Sequence, residues 1–430
     1  METVNRRQIM QGVDLTCVRS DKFKTGVLSI TFMTQLDKAT ASKTALLMRV
    51  LRRGTSLNPT MEDIAARLDE LYGAKIVPTV RKKGEASCVG LYASFPDDYF
   101  VDGDNILDKT AALMGEILLS PDTKNGWLRG DYVDSEKHAL IQDIEALVND
   151  KGAYANTRLT EIMCSGEAYG VRILGTEASV NSITASGLMK YYREFIAKSR
   201  VQIFYCGSAQ PDKVEIAVKS ALADLPRRDV DRFVATDVRT QPVKDKMRRH
   251  TQRMNVNQGK LCIGFRLGSA MLMPNYAVLT VMNGLFGGAI NSKLFQNVRE
   301  KLSLCYYAHS ALEKHKGIIT VSSGIAPENL KKAEKEIFTQ LDDIKKGNIT
   351  PQELESVKTE IITALRTSMD DPYRMENYWL DNSLLGLTIA PDELAALVSG
   401  VTIEDVVAAA QEVKADCLYF LTGKENENDA

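Results

Sequence analysis

Apolar and polar residues alternate, or recur at helical spacing, along most of the chain, and they predict a first series of elements. Two strands, 14–19 and 26–34, follow each other closely, and we expect them to pair with each other. Segments 75–81 and 86–95 predict a hairpin. The other predicted elements of this series are helices 41–51, 61–72, 105–119, 132–150 and 180–196 and strand 201–206.

Residues at the ends of several helices support these boundaries. Gly54 follows the first predicted helix at a position typical of a helix stop. Thr60 occupies the N-cap position of the second helix, and Asp63 is placed to complete a capping box. Thr184 is a predicted N-cap in the last helix of the series.

The order of elements then starts again. Three segments of the second series match segments of the first, at offsets of roughly 215–235 residues, which is too long for a solenoid repeat and indicates duplicated domains. The matched pairs are 83–89 with 316–322, 182–184 with 400–402, and 201–207 with 417–423. The second series consists of strands 259–266, 304–310, 317–323 and 416–422 and helices 276–286, 291–301, 328–346, 351–368 and 402–413.

We therefore expect an N-terminal domain at 1–225, a linker at 226–253 and a C-terminal domain at 254–430. The linker is polar, contains Pro226 and Pro242, and shows little helical or strand period. It carries a basic cluster that is either a contact for an acidic partner or a solvated face. The members of this cluster are Lys244, Lys246, Arg248, Arg249 and Arg253.

Composition narrows the functional classes. The chain has 430 residues, 44% of them hydrophobic and 26% charged, as expected of a soluble globular protein with more than one domain. A net charge of -2 argues against a nucleic-acid binder. No apolar run is long enough to span a bilayer, and the first residues lack the apolar core of a secretory signal, so we expect no membrane contact and a cytoplasmic location.

Cysteine and histidine usage predicts no local metal site. The seven cysteines are scattered and form no C-x-x-C pair, and most lie in apolar strand-like runs, so we expect buried thiols. No two of the four histidines are three or four residues apart, so no helix face offers a two-histidine site. We expect no cofactor.

Several short motifs stand out in both halves of the chain. In the second half they are the run Leu285-Phe286-Gly287-Gly288, the helix that begins with Ser292-Lys293-Leu294-Phe295, and Val298-Arg299-Glu300-Lys301 followed by Leu304-Cys305-Tyr306. In the first half they are Arg53-Gly54-Thr55, Leu174-Gly175-Thr176-Glu177 and Ser182-Ile183-Thr184. Together they are similar to motifs of the pitrilysin/insulinase metallopeptidases and their processing-peptidase relatives. Ser303 stands where that family has glycine.

The resemblance covers essentially the whole chain. It implies an α+β fold of two homologous halves, each a mostly antiparallel sheet packed with helices.

The family's metal motif, His-x-x-Glu-His with a distal glutamate, is absent. With Gly54-Thr55 as the landmark, the resemblance places the three motif positions on Ala45, Met48 and Arg49. It places the family's first distal glutamate at Glu136 and its distal ligand at Asp143. A catalytic zinc needs three protein ligands, and an arginine stays protonated, so the resemblance implies a chain that is not an enzyme and binds no metal.

The resemblance assigns a second part of the site to Arg299 and Tyr306. In the family these residues reach from the C-terminal half to the substrate's backbone carbonyl and help to stabilise the tetrahedral intermediate. Without the matched segment, Arg299 is equally well an exposed helix charge and Tyr306 a strand core residue. Arg49 and Asp143 occupy two ligand positions, and we hypothesise that they form an ion pair that replaces the metal as a cross-link; otherwise each points to solvent or other partners.

Four functions follow as hypotheses. The first is a non-catalytic subunit that pairs with a metal-bearing family member as a heterodimer and binds a peptide or protein substrate. Within the family, the chain is most similar to bacterial insulinase-like proteins associated with modification of elongation factor P by 5-aminopentanol. The others are a structural scaffold subunit, a peptide-binding chamber that accepts an edge strand, and an enzyme with a serine or cysteine nucleophile, for which no persuasive partner residues are found.

Overall fold

A computed structural model of the chain describes residues 3–101, 104–231, 236–268 and 275–423. The strands are β1 (Thr3–Met10), β2 (Val13–Arg19), β3 (Thr25–Gln35), β4 (Lys75–Lys83), β5 (Ala86–Pro96), β6 (Thr123–Lys124), β7 (Trp127–Leu128), β8 (Arg200–Gly207), β9 (Arg248–Arg253), β10 (Gly259–Arg266), β11 (Cys305–Glu313), β12 (Ile318–Ile325) and β13 (Lys414–Thr422).

The helices of the first half are α1 (Ala41–Leu51), α2 (Met61–Glu70), α3 (Ile106–Leu119), α4 (Gly130–Ala146), α5 (Lys151–Met163), α6 (Glu177–Asn181), α7 (Ala185–Lys198) and α8 (Pro211–Ala221). Those of the second half are α9 (Asn275–Asn283), α10 (Leu330–Lys345), α11 (Pro351–Ser368), α12 (Pro372–Leu384), α13 (Pro391–Gly400) and α14 (Ile403–Gln411), with π-helical segments at Gly284–Gly288 and Leu294–Lys301. In the described ranges, no helix is both long enough and apolar enough to cross a bilayer.

The chain folds into two compact units, and each takes a helix from the other half of the sequence. The N-terminal unit consists of Met1–Ile144, Val171–Ala235 and Asp371–Leu387. The C-terminal unit consists of Glu145–Gly170, Thr236–Asp370 and Thr388–Ala430. Helix α12 therefore belongs to the N-terminal unit and helix α5 to the C-terminal unit. The pattern predicted neither helix, and the homologous domains at 1–225 and 254–430 stay a prediction.

The sheet of the N-terminal unit has the order β1-β2-β8-β3-β5-β4. The expected pairing of segments 14–19 and 26–34 is wrong, because β8 lies between β2 and β3, parallel to the first and antiparallel to the second. Seven of the eight residues of β8 are buried, so both faces of this strand are covered. A strand that is apolar on both faces is stable in the middle of a sheet.

The sheet of the C-terminal unit repeats this arrangement. Its order, β11-β12-β10-β13-β9, corresponds strand for strand to β4-β5-β3-β8-β2, with the same directions, including the parallel pair at the end. In the described part of this unit, β1 has no counterpart. Strand β9 lies inside the predicted linker, so the expectation of little strand structure there is wrong for its last six residues. The strand is largely exposed and therefore lacks the alternation that marks a half-buried strand.

Local signals at helix ends were mostly correct. Thr60 and Asp63 form the predicted capping box of α2. Thr184 caps α7 by accepting from the Gly187 N–H, but the predicted helix 180–196 is two helices, α6 and α7. The predicted helix 132–150 ends at Ala146, and Asp150 caps the next helix, α5.

Buried ion pairs hold both exchanged segments. In the N-terminal unit, Glu376 of α12 accepts from Arg81 at 2.7 Å and from the Ser29 hydroxyl at 3.1 Å. In the C-terminal unit, Glu167, which follows α5, accepts from Arg266 at 2.7 Å and pairs with Lys316 at 2.8 Å. All of these carboxylates and cations are largely removed from water, so each network favours one docking position of its helix.

Candidate functional site

The three positions predicted to correspond to the family's metal motif, two ligands and the general base between them, lie on α1, in the N-terminal unit. Ala45, Met48 and Arg49 share one face, because residues three and four apart on a helix are neighbours. Ala45 and Met48 are fully buried in the apolar core of the unit. Arg49 lies at the border of this core, with 24% of its side chain exposed.

Two acidic residues of α4 pair with two arginines at and just beyond the end of α1. Arg49 Nη2 lies 2.5 Å from Asp143 Oδ2, which confirms the predicted ion pair. Arg53 Nη1 lies 3.4 Å from Glu136 Oε1, and its guanidinium lies over the Tyr132 ring at 5.1 Å from the centroid. The sequence motif contained Arg53, but its pairing with Glu136 was not predicted.

These residues do not fit a zinc ion. Two of the predicted positions carry aliphatic or thioether side chains in an apolar core, and the third carries a guanidinium bound to the remaining carboxylate. Zinc sites are built from thiolate, imidazole or carboxylate ligands. Among the described residues, no group of three histidine, cysteine, aspartate or glutamate side chains is arranged to hold a metal.

The landmark Gly54-Thr55 has a structural role that needs no metal. A Cβ atom on Gly54 would lie 2.1 Å from the Pro59 carbonyl oxygen, so only glycine fits the loop after α1. The Thr55 hydroxyl donates to Glu116, and Asn58 Nδ2 donates to the same carboxylate at 2.7 Å. The loop after α1 is thus fixed by its glycine and by the Glu116 carboxylate of α3.

Arg299 and Tyr306 lie in the C-terminal unit, at opposite ends of a short connection. Tyr306 is 75% exposed and lies on β11, where the pairing with β12 shifts register between Cys305 and Tyr307. A bulge of this kind redirects a side chain out of the sheet. Arg299 is 43% exposed in the second π-helical segment, with Nε 3.4 Å from Glu300 and its guanidinium 4.8 Å from the Phe295 ring centroid. Tyr306 is therefore not a core residue.

The connection between them turns at Ser303. This residue has φ = +50°, in the left-handed region that favours glycine. The Leu304 N–H donates to the Val298 carbonyl at 3.1 Å and closes the turn after the π-helical segment. The family's glycine at this position is therefore explained by backbone geometry, and serine is accommodated there at a conformational cost.

Comparisons with known proteins agree with this picture. A family model described as the peptidase M16 inactive domain matches residues 182–361. The probable inactive metalloprotease YmfF of Bacillus subtilis (strain 168) is 32% identical over 423 residues, which cover 96% of each chain.

Solved structures show the same fold. The crystal structure of a conserved protein from Enterococcus faecalis V583 is similar with a TM-score of 0.90 and 27% identity, over 99% of this chain and 100% of that one. The periplasmic protease PqqL from Escherichia coli is similar with a TM-score of 0.74 and 14% identity, over 98% of this chain but 48% of its own.

The global match to YmfF and the shared fold thus agree with the motifs of both halves. This chain belongs to the pitrilysin/insulinase (M16) peptidase family and is a non-catalytic member of it, without the metal motif.

Proposed function

We propose that this chain is the non-catalytic subunit of a two-chain peptidase, in which a metal-bearing member of the same family supplies the zinc site. Arg299 and Tyr306 of this chain then bind the backbone carbonyls of the peptide substrate. One observation carries the proposal: Tyr306 is directed out of the sheet by a bulge and is 75% exposed, whereas the predicted metal positions Ala45 and Met48 are buried in apolar core.

The chemistry of the two side chains suits this role. A guanidinium and a phenol are both hydrogen-bond donors, which is what a carbonyl oxygen and a developing oxyanion require. The ion pair of Arg299 is with its sequence neighbour Glu300, and both side chains are about half exposed. Such a pair contributes little, so the guanidinium can exchange it for a substrate carbonyl at small cost.

The organisation of a protein with the same fold supports a partner chain of that fold. A structure of the first half of PqqL covers nearly the same length as this chain, so in that protein the fold continues into a further half. In the proposed heterodimer a second chain provides that further half. We propose a cytoplasmic complex, and we propose that its substrate is connected with the modification of elongation factor P.

Co-expression with a His-x-x-Glu-His family member from the same genome tests this function. We expect a stable complex that cleaves peptides, and we expect Arg299→Ala or Tyr306→Phe in this chain to lower kcat/KM by roughly 100-fold, as for loss of one oxyanion donor. Complex formation should not change. Arg374→Ala and Tyr373→Phe, at exposed positions of α12, are the matched controls.

The other outcomes separate the alternatives. Cleavage that is unchanged in both variants would indicate a scaffold subunit. Tight binding of peptides by this chain alone, without any partner, would indicate a peptide-binding chamber. Cleavage of general peptides, but none of elongation factor P or its modified segment, would retain the subunit role and remove the proposed substrate.

A further inference from the structure

Strand β9 forms an open edge of the sheet in the C-terminal unit. Its inner side pairs with β13, and no strand in the described ranges pairs with its outer side. The Met254 N–H donates to the Thr422 carbonyl at 3.0 Å, in continuation of this parallel ladder. In a parallel ladder, successive residues direct their backbone N–H and C=O groups to opposite sides of the strand. Since the Met254 N–H faces β13, the backbone groups of Arg249 and Thr251, an odd number of residues away, face outward. Such groups are a template for a further strand.

The N-terminal unit shows how the equivalent edge is completed. Its strand β2 corresponds to β9, since each is parallel to the last strand of its own half. There β1 covers the outer side of β2, with antiparallel register from Thr3↔Arg19 to Gln8↔Asp14. The described part of the C-terminal unit has no strand in this place. One strand position, filled in the first repeat, is thus open in the part of the second repeat that the structure describes.

The surface beside this edge is basic. A cleft of about 620 Å³ lies between β9, the end of α5 and the segment before β9. Its lining includes Arg158, Lys244, Arg248, Arg249 and His250, together with Glu161. Arg158 pairs with Glu161, Arg248 with Asp416 and Arg249 with Glu334, so the four lysine and arginine cations exceed these three carboxylates by one. Arg248 donates to carbonyls at the end of α5, so its side chain lies on the face of the sheet that carries this cleft. In an added strand, every second side chain would point toward the same face.

We infer that β9 accepts an extended acidic segment of a partner protein as an added strand, with alternate carboxylates entering the basic cleft. Main-chain hydrogen bonds supply affinity in this mode of recognition, and the side-chain pockets supply specificity. A second copy of this chain is disfavoured at the edge, because its own basic strand would be repelled. The surface is separate from Arg299 and Tyr306 and does not depend on the function proposed for them.

A proline substitution separates strand addition from simple charge attraction. Thr251→Pro removes an outward N–H and leaves the ladder with β13 intact, as proline is tolerated on edge strands in this orientation. The probe is a fluorescent peptide of about ten residues that alternates Glu and Thr, titrated into the full chain and followed by anisotropy. We expect Thr251→Pro to weaken its binding by at least about tenfold and Thr251→Val, which keeps the N–H, by less than about twofold.

Variants that reverse a charge provide a second test of the inference. Lys244→Glu, in the exposed segment before β9, should weaken binding severalfold, and Lys190→Glu on α7 should have no effect. The inference is overturned if the acidic peptide does not bind, or if a peptide with Lys in place of Glu binds equally well. The inference is also overturned if the peptide binds equally well to the Thr251→Pro and Thr251→Val variants. The same holds if single-stranded DNA displaces the peptide and Thr251→Pro has no effect, because the surface would then be only a charged patch. If Thr251→Pro fails to fold, by thermal unfolding, the Lys244→Glu comparison decides.

Discussion

At the scale of single residues, one contact has taken the place predicted for a metal. Arg49 and Asp143 join the region of α1 to α4, but their side chains are 24% and 52% exposed. Ion pairs with this exposure are screened by water and salt and contribute little. A structural zinc site contributes far more to folding. We therefore expect the pair to fix position, while the burial of Ala45, Met48 and their neighbours supplies most of the stability.

A double-mutant cycle measures the strength of this cross-link. We expect Arg49→Ala and Asp143→Ala to be coupled by about 0.2–1 kcal/mol in free energy of unfolding, and the coupling to fall at high salt. Urea unfolding of the two single variants and the double variant gives the value. The exposed pair Arg7–Asp212 serves as the control cycle. Strictly additive losses for Arg49 and Asp143 would show that the contact is not a cross-link.

Ser303 carries a local conformational cost that a single substitution relieves. A residue with a Cβ atom is disfavoured at φ = +50° by about 1–2 kcal/mol, so glycine would relieve strain in the folded state. Part of this stabilisation is offset because glycine also raises the conformational entropy of the unfolded chain. We expect Ser303→Gly to raise the free energy of unfolding by about 0.5–1 kcal/mol, and Ser303→Ala to leave it equal or lower. Thermal unfolding of the three proteins tests this; a more stable alanine variant would contradict it.

At the scale of elements, buried ion pairs hold α12 and the segment after α5, in addition to the apolar side chains that these helices bury. Burial alone opposes ionisation of Glu167, but hydrogen bonds from Arg266 and Lys316 outweigh it and hold the pKa of this carboxyl below its usual value. A depressed pKa contributes stability above the pKa of the unfolded residue, about 4.3, and this contribution is lost as the pH falls through the folded pKa.

The stability that ionised Glu167 contributes depends on pH. We expect Glu167→Gln to lower the free energy of unfolding by about 3 kcal/mol at pH 7, as for removal of one partner of a buried pair. The difference from wild type should narrow below about pH 4, because wild type loses the same contribution there. Thermal unfolding from pH 7 to 3 measures the gap, with the exposed Glu177→Gln as control. A gap that is constant with pH would assign the loss to packing alone.

At the scale of the whole molecule, the exchange of helices ties the two halves of the sequence together. The N-terminal unit includes Asp371–Leu387, in which Met375, Trp379 and Leu380 are buried. A fragment that ends at residue 225 lacks these side chains and leaves Arg81 without its carboxylate partner Glu376. Both losses lower the stability of the fragment, because apolar surface is exposed and a partly buried cation is left unpaired.

We expect residues 1–225 expressed alone to unfold without cooperativity or to aggregate. Fusing a segment that contains α12 to the C-terminus of this fragment, through a flexible linker, should restore a cooperative unfolding transition. The same fusion with Glu376→Gln is the control and should be less stable. Circular dichroism during heating tests the three proteins; a cooperative fragment without α12 would contradict the role of the exchange.

Several features of the candidate site could be predicted from the sequence alone. The helix α1, its end at Gly54-Thr55 and the identities of Ala45, Met48 and Arg49 follow from local pattern and motif, and the contact of Arg49 with Asp143 follows from the family's ligand geometry. The exposure of Tyr306 did not follow, because a bulge depends on how two strands meet. Nor did β9, since an edge strand exposed on both faces has no apolar alternation.

The amino-acid sequence by itself determined the identity and order of most elements, their caps, the duplication and the loss of the metal motif. These depend on spacing between near neighbours and on which side chains are present. Tertiary structure alone decided that β8 separates β2 from β3 and that α5 and α12 change units. It also decided that, among the residues that the structure describes, no further strand pairs with β9 at its edge of the second sheet. The reason is that strand partners and docked helices are selected by contacts between residues far apart in sequence, and the local pattern of apolar residues records that a face is buried but not what covers it.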